Sequence, residues 1–323
     1  MQVIQVSDRP ASQAFYSVAG RLLFIQSTNL EVRNLIEQLC AGWQLTSVSF
    51  PDRSPDIQIN FFCGEQPEEI PRNLNCFEIA EGGKCYTDGT DVYLVLRDSL
   101  VRLEGGSPVK VNVWLSQPPG AGDPLLARVA SFAVCAALRR FGLFDIHSAG
   151  VVEPQSERGV LIVGPSGSGK STLALQLVTS GWPYLSDDEL LLSLVDGVVE
   201  ARGFRSFFAL STGEQVGFKH CFEPRTVLGS ERRVQAAPGL LLLASLSGEQ
   251  KSRLNKLTQA EAMTRLIRAC PWATYDTGIA GANLAVLSAL ARQASCFDLS
   301  AGRDLLEPGF AAGLLVNEAF TSA

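Results

Sequence analysis

The chain is expected to be a two-part α/β protein, with an N-terminal α+β domain over residues 1–120 and a C-terminal α/β domain over residues 121–323. Three observations lead there. From Tyr16 to about Leu115 short apolar segments alternate with polar turns. The segment Ser116–Pro124 (SQPPGAGDP) concentrates Pro and Gly as a linker does. From Val160 onward a strand run, a glycine loop and a helical pattern follow one another. A length of 323 residues is enough for two ordinary cores, at roughly 150 residues per domain.

Composition narrows the function classes. The chain is 46% hydrophobic and 19% charged, the balance of a packed globular protein. A formal charge of −6 and the lack of any Lys/Arg block argue against a nucleic-acid binder, which needs a basic face to displace counterions. The start, MQVIQVSDRP, has no basic region followed by an apolar run of signal-peptide length, so a cytoplasmic location is expected. The longest apolar stretch, Leu125 to Leu138, carries Arg128 and falls short of the roughly 20 residues that span a bilayer, so no membrane partner is expected. Eight cysteines without a CxxC pair, several inside apolar runs, read as reduced core residues.

Taken in order, RLLFIQS, SVSF, IQINFF, KCYTDGTDVYLVL, LVRLEGG and VKVNVWL carry strand signals, with Asp88-Gly89 and Gly105-Gly106 as hairpin turns. Asn29 to Leu39 has the i, i+3, i+4 spacing of a helix behind a polar cap. A helix is expected from about Leu125 to Phe141, closed by Gly142 and leading to Ile146-His147-Ser148-Ala149-Gly150. Val160–Val163 is a strand and Ser171–Ser180 a helix closed by Gly181. A strand ending at Ser186, the pair Asp187-Asp188, and strands over Glu189–Val195 and Gly239–Leu246 follow. Thr258 and Glu261 are spaced as a capping box for a helix reaching Ala269, while Asp276-Thr277-Gly278 reads as a plain turn.

Gly164 to Thr172 reads GPSGSGKST and fits GxxxxGK[ST] at every position, between a strand and a helix as that pattern requires. Glycines let successive N–H groups face phosphate oxygens, and the helix behind them offers its positive end. Gly164, Ser166, Gly167, Ser168, Gly169, Lys170, Ser171 and Thr172 are therefore the candidate nucleotide-binding set, with ATP and Mg²⁺ as the expected ligands. Lys170 is expected on the β- and γ-phosphates and Ser171 on Mg²⁺. The guanine-specifying NKxD pattern is absent, because Asn255-Lys256-Leu257-Thr258 lacks the aspartate, and the apolar strand GLLLLASL ends without a carboxylate. The acids must come from elsewhere. Asp187-Asp188, at the end of the strand after the loop's own helix, is the supply, one carboxylate taking a proton and the other holding Mg²⁺ or its waters.

The run IHSAGVV followed by GVLIVGPSGSGKSTLALQLVTSGWPYLSDDELLL resembles the catalytic domain of HPr kinase/phosphorylase and its relatives. The likeness covers about fifty residues, Ile146 to Leu192. It implies a phosphate-loop kinase domain in which His147 is an active-site residue, Lys170 and Ser171 are the phosphate and Mg²⁺ residues, Asp187 is the catalytic acid/base and Asp188 its acidic, metal-side neighbour. It implies transfer of the γ-phosphoryl of ATP to a hydroxyl, with a serine of a small protein or ribosomal peptide as acceptor. The loop reads KST where the bifunctional enzymes carry KSE, and the segment tied to phosphorolysis is not found, so the resemblance does not extend to a phosphorylase activity. A small-molecule kinase on the same scaffold and a non-catalytic ATP-binding module are the alternatives. The N-terminal domain is then available to bind the acceptor or a second protomer of a homo-oligomer.

Other candidates are weaker. His220, in VGFKHCF, reads as structural, Arg202 and Arg205 as solvated charge with a reach towards phosphate, and Phe204, Phe207 and Phe208 as core packing.

Overall fold

The computed structural model describes residues 14–64, 69–79, 82–120, 123–211, 219–307 and 309–321. The N-terminal ten residues and part of the Ser116–Pro124 segment (121–122), both discussed above, lie outside this set, as does the side chain of His220. The chain is a mixed α/β protein with several sheets. It divides into two compact units, one of Met1–Ala41 and Leu45–Arg140, the other of Gly42–Gln44 and Phe141–Ala323. Among the described residues no helix is long and apolar enough to cross a membrane.

The first unit opens with a hairpin, β1 (Ala14–Val18) and β2 (Arg21–Ser27), followed by α1 (Leu30–Gly42). Asn29 caps α1 by accepting from the Val32 N–H at 3.0 Å. Val32, Ile36 and Cys40, one turn apart, form its buried stripe. Strands β3 (Thr46–Val48), β4 (Ile57–Cys63), β5 (Asn75–Glu78), β6 (Lys84–Thr87), β7 (Val92–Leu96), β8 (Ser99–Glu104) and β9 (Val109–Leu115) complete one sheet of order β3-β1-β2-β4-β9-β8-β7-β6-β5. β2, β4 and β9 run parallel, and β5 to β9 form an antiparallel meander. The Asp88 carboxylate closes the β6–β7 turn by accepting from Thr90 and Asp91 N–H. Helix α2 (Pro124–Arg139) starts on the Asp123 cap with proline in its first turn.

The second unit begins with β10 (Phe144–Ile146) and β11 (Ser148–Val152), then β12 (Gly159–Val163), α3 (Lys170–Thr179) and β13 (Tyr184–Ser186). Next come β14 (Leu190–Val195), β15 (Val198–Gly203), β16 (Phe208–Ser211), β17 (Lys219–Phe222), α4 (Pro224–Leu228), β18 (Gln235–Ala236) and β19 (Pro238–Leu246). The unit closes with β20 (Arg253–Lys256), α5 (Gln259–Ala269), α6 (Trp272–Tyr275), α7 (Thr277–Gln293), β21 (Ser295–Ala301), a 3₁₀ turn at Arg303–Leu306 and α8 (Ala312–Thr321). Its main sheet has the order β13-β11-β12-β19-β21-β20, with β12, β19 and β21 parallel. A second sheet, β10-β14-β15-β18, takes the strand before His147.

The parallel strands are apolar on both faces because helices cover both. Leu161, Val163, Leu241 and Leu243 pack in one core with Leu266, Leu287 and Leu290 of α5 and α7. Val160, Ile162, Leu240 and Leu242 pack in the other with Leu173, Leu177 and Val316 of α3 and α8. Phe204 and Phe208 are fully buried, whereas Phe207 is partly exposed.

Two expectations need correction. Asp276-Thr277-Gly278 is no isolated turn: Asp276 is the residue before α7, and Thr277 and Gly278 form its first turn. The local Asp-Thr-Gly signal is the same for a turn and for a helix start, and the apolar run behind it decides. The cysteines are all free, but Cys76 and Cys221 are exposed rather than in a core.

Candidate active site

The glycine loop leaves β12 at its carboxyl end and enters α3. Gly164 has no room for a side chain, since a Cβ there would lie 2.4 Å from the Ala244 carbonyl oxygen and 2.6 Å from Ser168 Oγ. Gly167 and Gly169 hold φ of +80° and +88°, the left-handed region that L side chains avoid. Gly169 is the N-cap of α3 and makes no side-chain cap bond, so no side chain caps the start of that helix. Ser168 is 2% exposed, and its Oγ is a buried polar atom with no hydrogen-bond partner among the described residues. Lys170, 5% exposed, folds its Nζ back onto the carbonyls of Gly164 and Pro165 at 2.9 and 2.8 Å. The loop is therefore a tight ring of backbone with an amide-rich helix end and an ammonium group held within it.

The acidic pair is placed by a tightly bonded corner. Ser186 Oγ donates to the Glu189 carbonyl at 2.6 Å and accepts from the N–H groups of Phe204 and Arg205. Between them, the Glu189 N–H bonds the Asp187 carbonyl at 2.9 Å and Asp188 sits at φ +69°, a three-residue turn. A left-handed φ at a non-glycine residue carries backbone strain of order 1 kcal/mol or more, and such strain gathers at functional sites.

That corner sends adjacent carboxylates in different directions. Asp187 is fully buried. Its Oδ1 accepts from Ser171 Oγ at 2.7 Å and its Oδ2 from the Ala209 N–H at 3.1 Å. Burial pushes its carboxyl above the ordinary range, against the downward pull of those two hydrogen bonds. Asp188, by contrast, has a side chain about 40% exposed. Its carbonyl lies 2.8 Å from His147 Nδ1 and its Oδ1 lies 3.4 Å from the same atom. A carbonyl only accepts, so Nδ1 carries the proton. His147 occupies the single residue between β10 and β11, where the chain passes from one sheet to the other.

These groups border a cleft of about 540 Å³ lined by the loop and start of α3 (Ser166, Gly167, Gly169, Lys170, Ser171, Thr172), by His147, Asp188 and Ala209, and by Leu246–Glu249 and residues 301–303 and 305–306. Sequence reasoning missed the last two walls. Their signal was positional: they follow the carboxyl ends of the parallel strands β19 and β21, where α/β sheets place ligands. Asp187, expected to face the acceptor, lines neither this cleft nor its neighbour behind the loop. Arg202 and Arg205 are spent on structure, Arg202 on Gln235 and Arg205 on Glu189 at 3.0 Å.

No family model and no curated protein matches the chain. Among solved structures, the Hpr(Ser) kinase/phosphatase from Coxiella burnetii is similar at a TM-score of 0.32 and 14% identity, over 55% of this chain and 88% of that one.

Proposed function

We propose that the second unit is an ATP-dependent phosphotransferase that moves the γ-phosphoryl group to an acceptor hydroxyl, with a serine side chain as the acceptor group. One observation carries it: an uncapped helix end with Ser171 tied to a buried acid, Asp187, and a second acid, Asp188, facing the same cleft beside His147.

The residues fit a triphosphate with Mg²⁺. Ser168 Oγ, buried and without a hydrogen-bond partner among the described residues, and the start of α3, which no side chain caps, are placed to meet an anion, and Gly164, Gly167 and Gly169 keep the loop backbone open to it. Ser171 would hold Mg²⁺ and Asp187, already bonded to Ser171, would fix it there; the ion would supply charge neutralisation between the phosphates. Lys170 leaves the loop carbonyls to meet the phosphoryl oxygens.

The two acids thus exchange the parts expected from sequence. Asp187 is the buried anchor and Asp188 the exposed base. Asp188 takes the proton of the acceptor hydroxyl as its oxygen bonds to the γ-phosphorus and the bond to the bridging oxygen breaks, releasing ADP. His147 holds the Asp188 turn through Nδ1.

The test is transfer of labelled γ-phosphate from ATP/Mg²⁺ into serine peptides and small hydroxy compounds by wild type, Asp188→Asn and Lys170→Ala. Asp188→Asn should lower kcat by about 10²- to 10⁴-fold, the usual worth of a general base, with ATP affinity retained. Full activity in Asp188→Asn would remove it as the base, and absence of nucleotide binding by the wild type would end the proposal.

A further inference from the structure

Behind the glycine loop lies a second cleft, of about 640 Å³. The loop separates the two: Gly164 and Pro165 line the second cleft, Ser166, Gly167 and Gly169 to Thr172 line the first, and His147 lines both. The floor of the second cleft is the carboxyl end of β12 and β19, down to Ser245, and its far wall is the last part of α5.

That wall is basic. Arg265 and Arg268 both line the cleft, and among the described residues no carboxylate does, in a chain of net charge −6. Arg265 is held by an ion pair from its Nη1 to Asp298 on β21. Arg268 is exposed, and its side chain makes no hydrogen bond or ion pair among the described residues. A cation in the last turn of a helix offsets the negative helix end, which accounts for its charge but not for two guanidinium groups turned to one cavity. Guanidinium presents paired N–H donors that match a carboxylate.

We infer that this cleft binds the acceptor, and that the acceptor carries a carboxylate close to its hydroxyl, the carboxylate on Arg268 and Arg265 and the hydroxyl towards His147 and Asp188. The inference rests on the kinase reading for the hydroxyl's fate, but the carboxylate preference of the cleft stands on the arginines alone. Two sources share this chemistry, a free hydroxy acid and a serine peptide with acidic neighbours.

The experiment is equilibrium binding to the full chain with the glycine loop saturated by β,γ-imido-ATP and Mg²⁺. The probes are L-serine and D-glycerate, a serine peptide flanked by aspartates, and the methyl esters of each. Every acid that binds should do so about tenfold or more tightly than its ester, and Arg268→Gln should abolish that difference while leaving the nucleotide affinity unchanged. The Arg268 side chain is exposed and makes no hydrogen bond or ion pair among the described residues, so this variant tests charge rather than folding. Binding by the small acids alone assigns a free hydroxy acid, and by the peptide alone an acidic segment. Equal binding of acids and esters, an undiminished preference in Arg268→Gln, or no binding by any probe overturns the inference. Failure of the nucleotide analogue to bind the wild type ends the kinase reading instead, and the acid–ester comparison without nucleotide still decides the cleft.

Discussion

Asp187 and Asp188 are adjacent and chemically identical, yet one is sealed in the protein and the other half-open to a cleft. Two donors, Ser171 Oγ and the Ala209 N–H, satisfy the buried carboxylate, but its desolvation outweighs them and raises its pKa. The sign of the pH effect follows. A carboxyl that titrates higher when folded binds its proton more readily in the native state, so ionisation of Asp187 costs stability as pH rises through that value. Asparagine can keep both contacts, its carbonyl accepting from Ala209 and its amide donating to Ser171. Asp187→Asn should therefore melt no lower than wild type at pH 7 to 8, with the difference moving in favour of wild type as pH falls through the acidic range. Thermal melts across pH check this, and a variant that loses stability most at neutral pH would show the burial cost to be misjudged. The same variant should need more Mg²⁺ for transfer, the usual trade of function against stability.

At the scale of elements, the glycine loop is a connection whose shape the neighbouring strand dictates. The Ala244 carbonyl of β19 stands where a Cβ on Gly164 would go. A backbone oxygen inside a parallel sheet cannot give way as a flexible side chain does, so the loop must move instead. Gly164→Ala is expected to cost about 1–3 kcal/mol in stability. Nucleotide affinity should fall with it, by about tenfold or more, since the loop's N–H groups lose their alignment. Calorimetric titration with ATP/Mg²⁺ and a melt of the same sample read both. An alanine variant that binds and melts like wild type would mean that the loop has another conformation of equal energy.

For the whole molecule, a ligand that binds only the native state raises its stability by mass action. ATP/Mg²⁺ at 100 times its dissociation constant should add about 2.7 kcal/mol to the unit that holds the loop. Lys170→Ala should lose most of that increment while the ligand-free protein still folds, because the hydrogen bonds from Lys170 Nζ to the Gly164 and Pro165 carbonyls stay within the loop itself. Differential scanning calorimetry with and without nucleotide measures it; equal shifts in wild type and variant would separate Lys170 from the phosphates.

Features that depend on near neighbours in the chain were legible from the residues. The alternation of strands and turns to Leu115, the Asn29 cap and the Thr258–Glu261 box all appear in the structure, because the atoms that make them lie within a few residues of one another. The loop's glycines belong here too, since their spacing already encoded the left-handed turns at Gly167 and Gly169.

What only the tertiary structure decided depends on groups far apart in sequence. Which aspartate is buried follows from Ala209 and Ser171 closing over one of them, not from the pair itself. Asp276 became the start of α7 because the apolar face of the following residues found Leu161, Leu241 and their neighbours to cover. His147 meets Asp188 because one residue joins two sheets, and Arg265 and Arg268 reach the back of the loop because α5 packs across β12 and β19. Burial and convergence are properties of the packed whole, and pattern along one chain carries residue types and spacing but not which surfaces will meet.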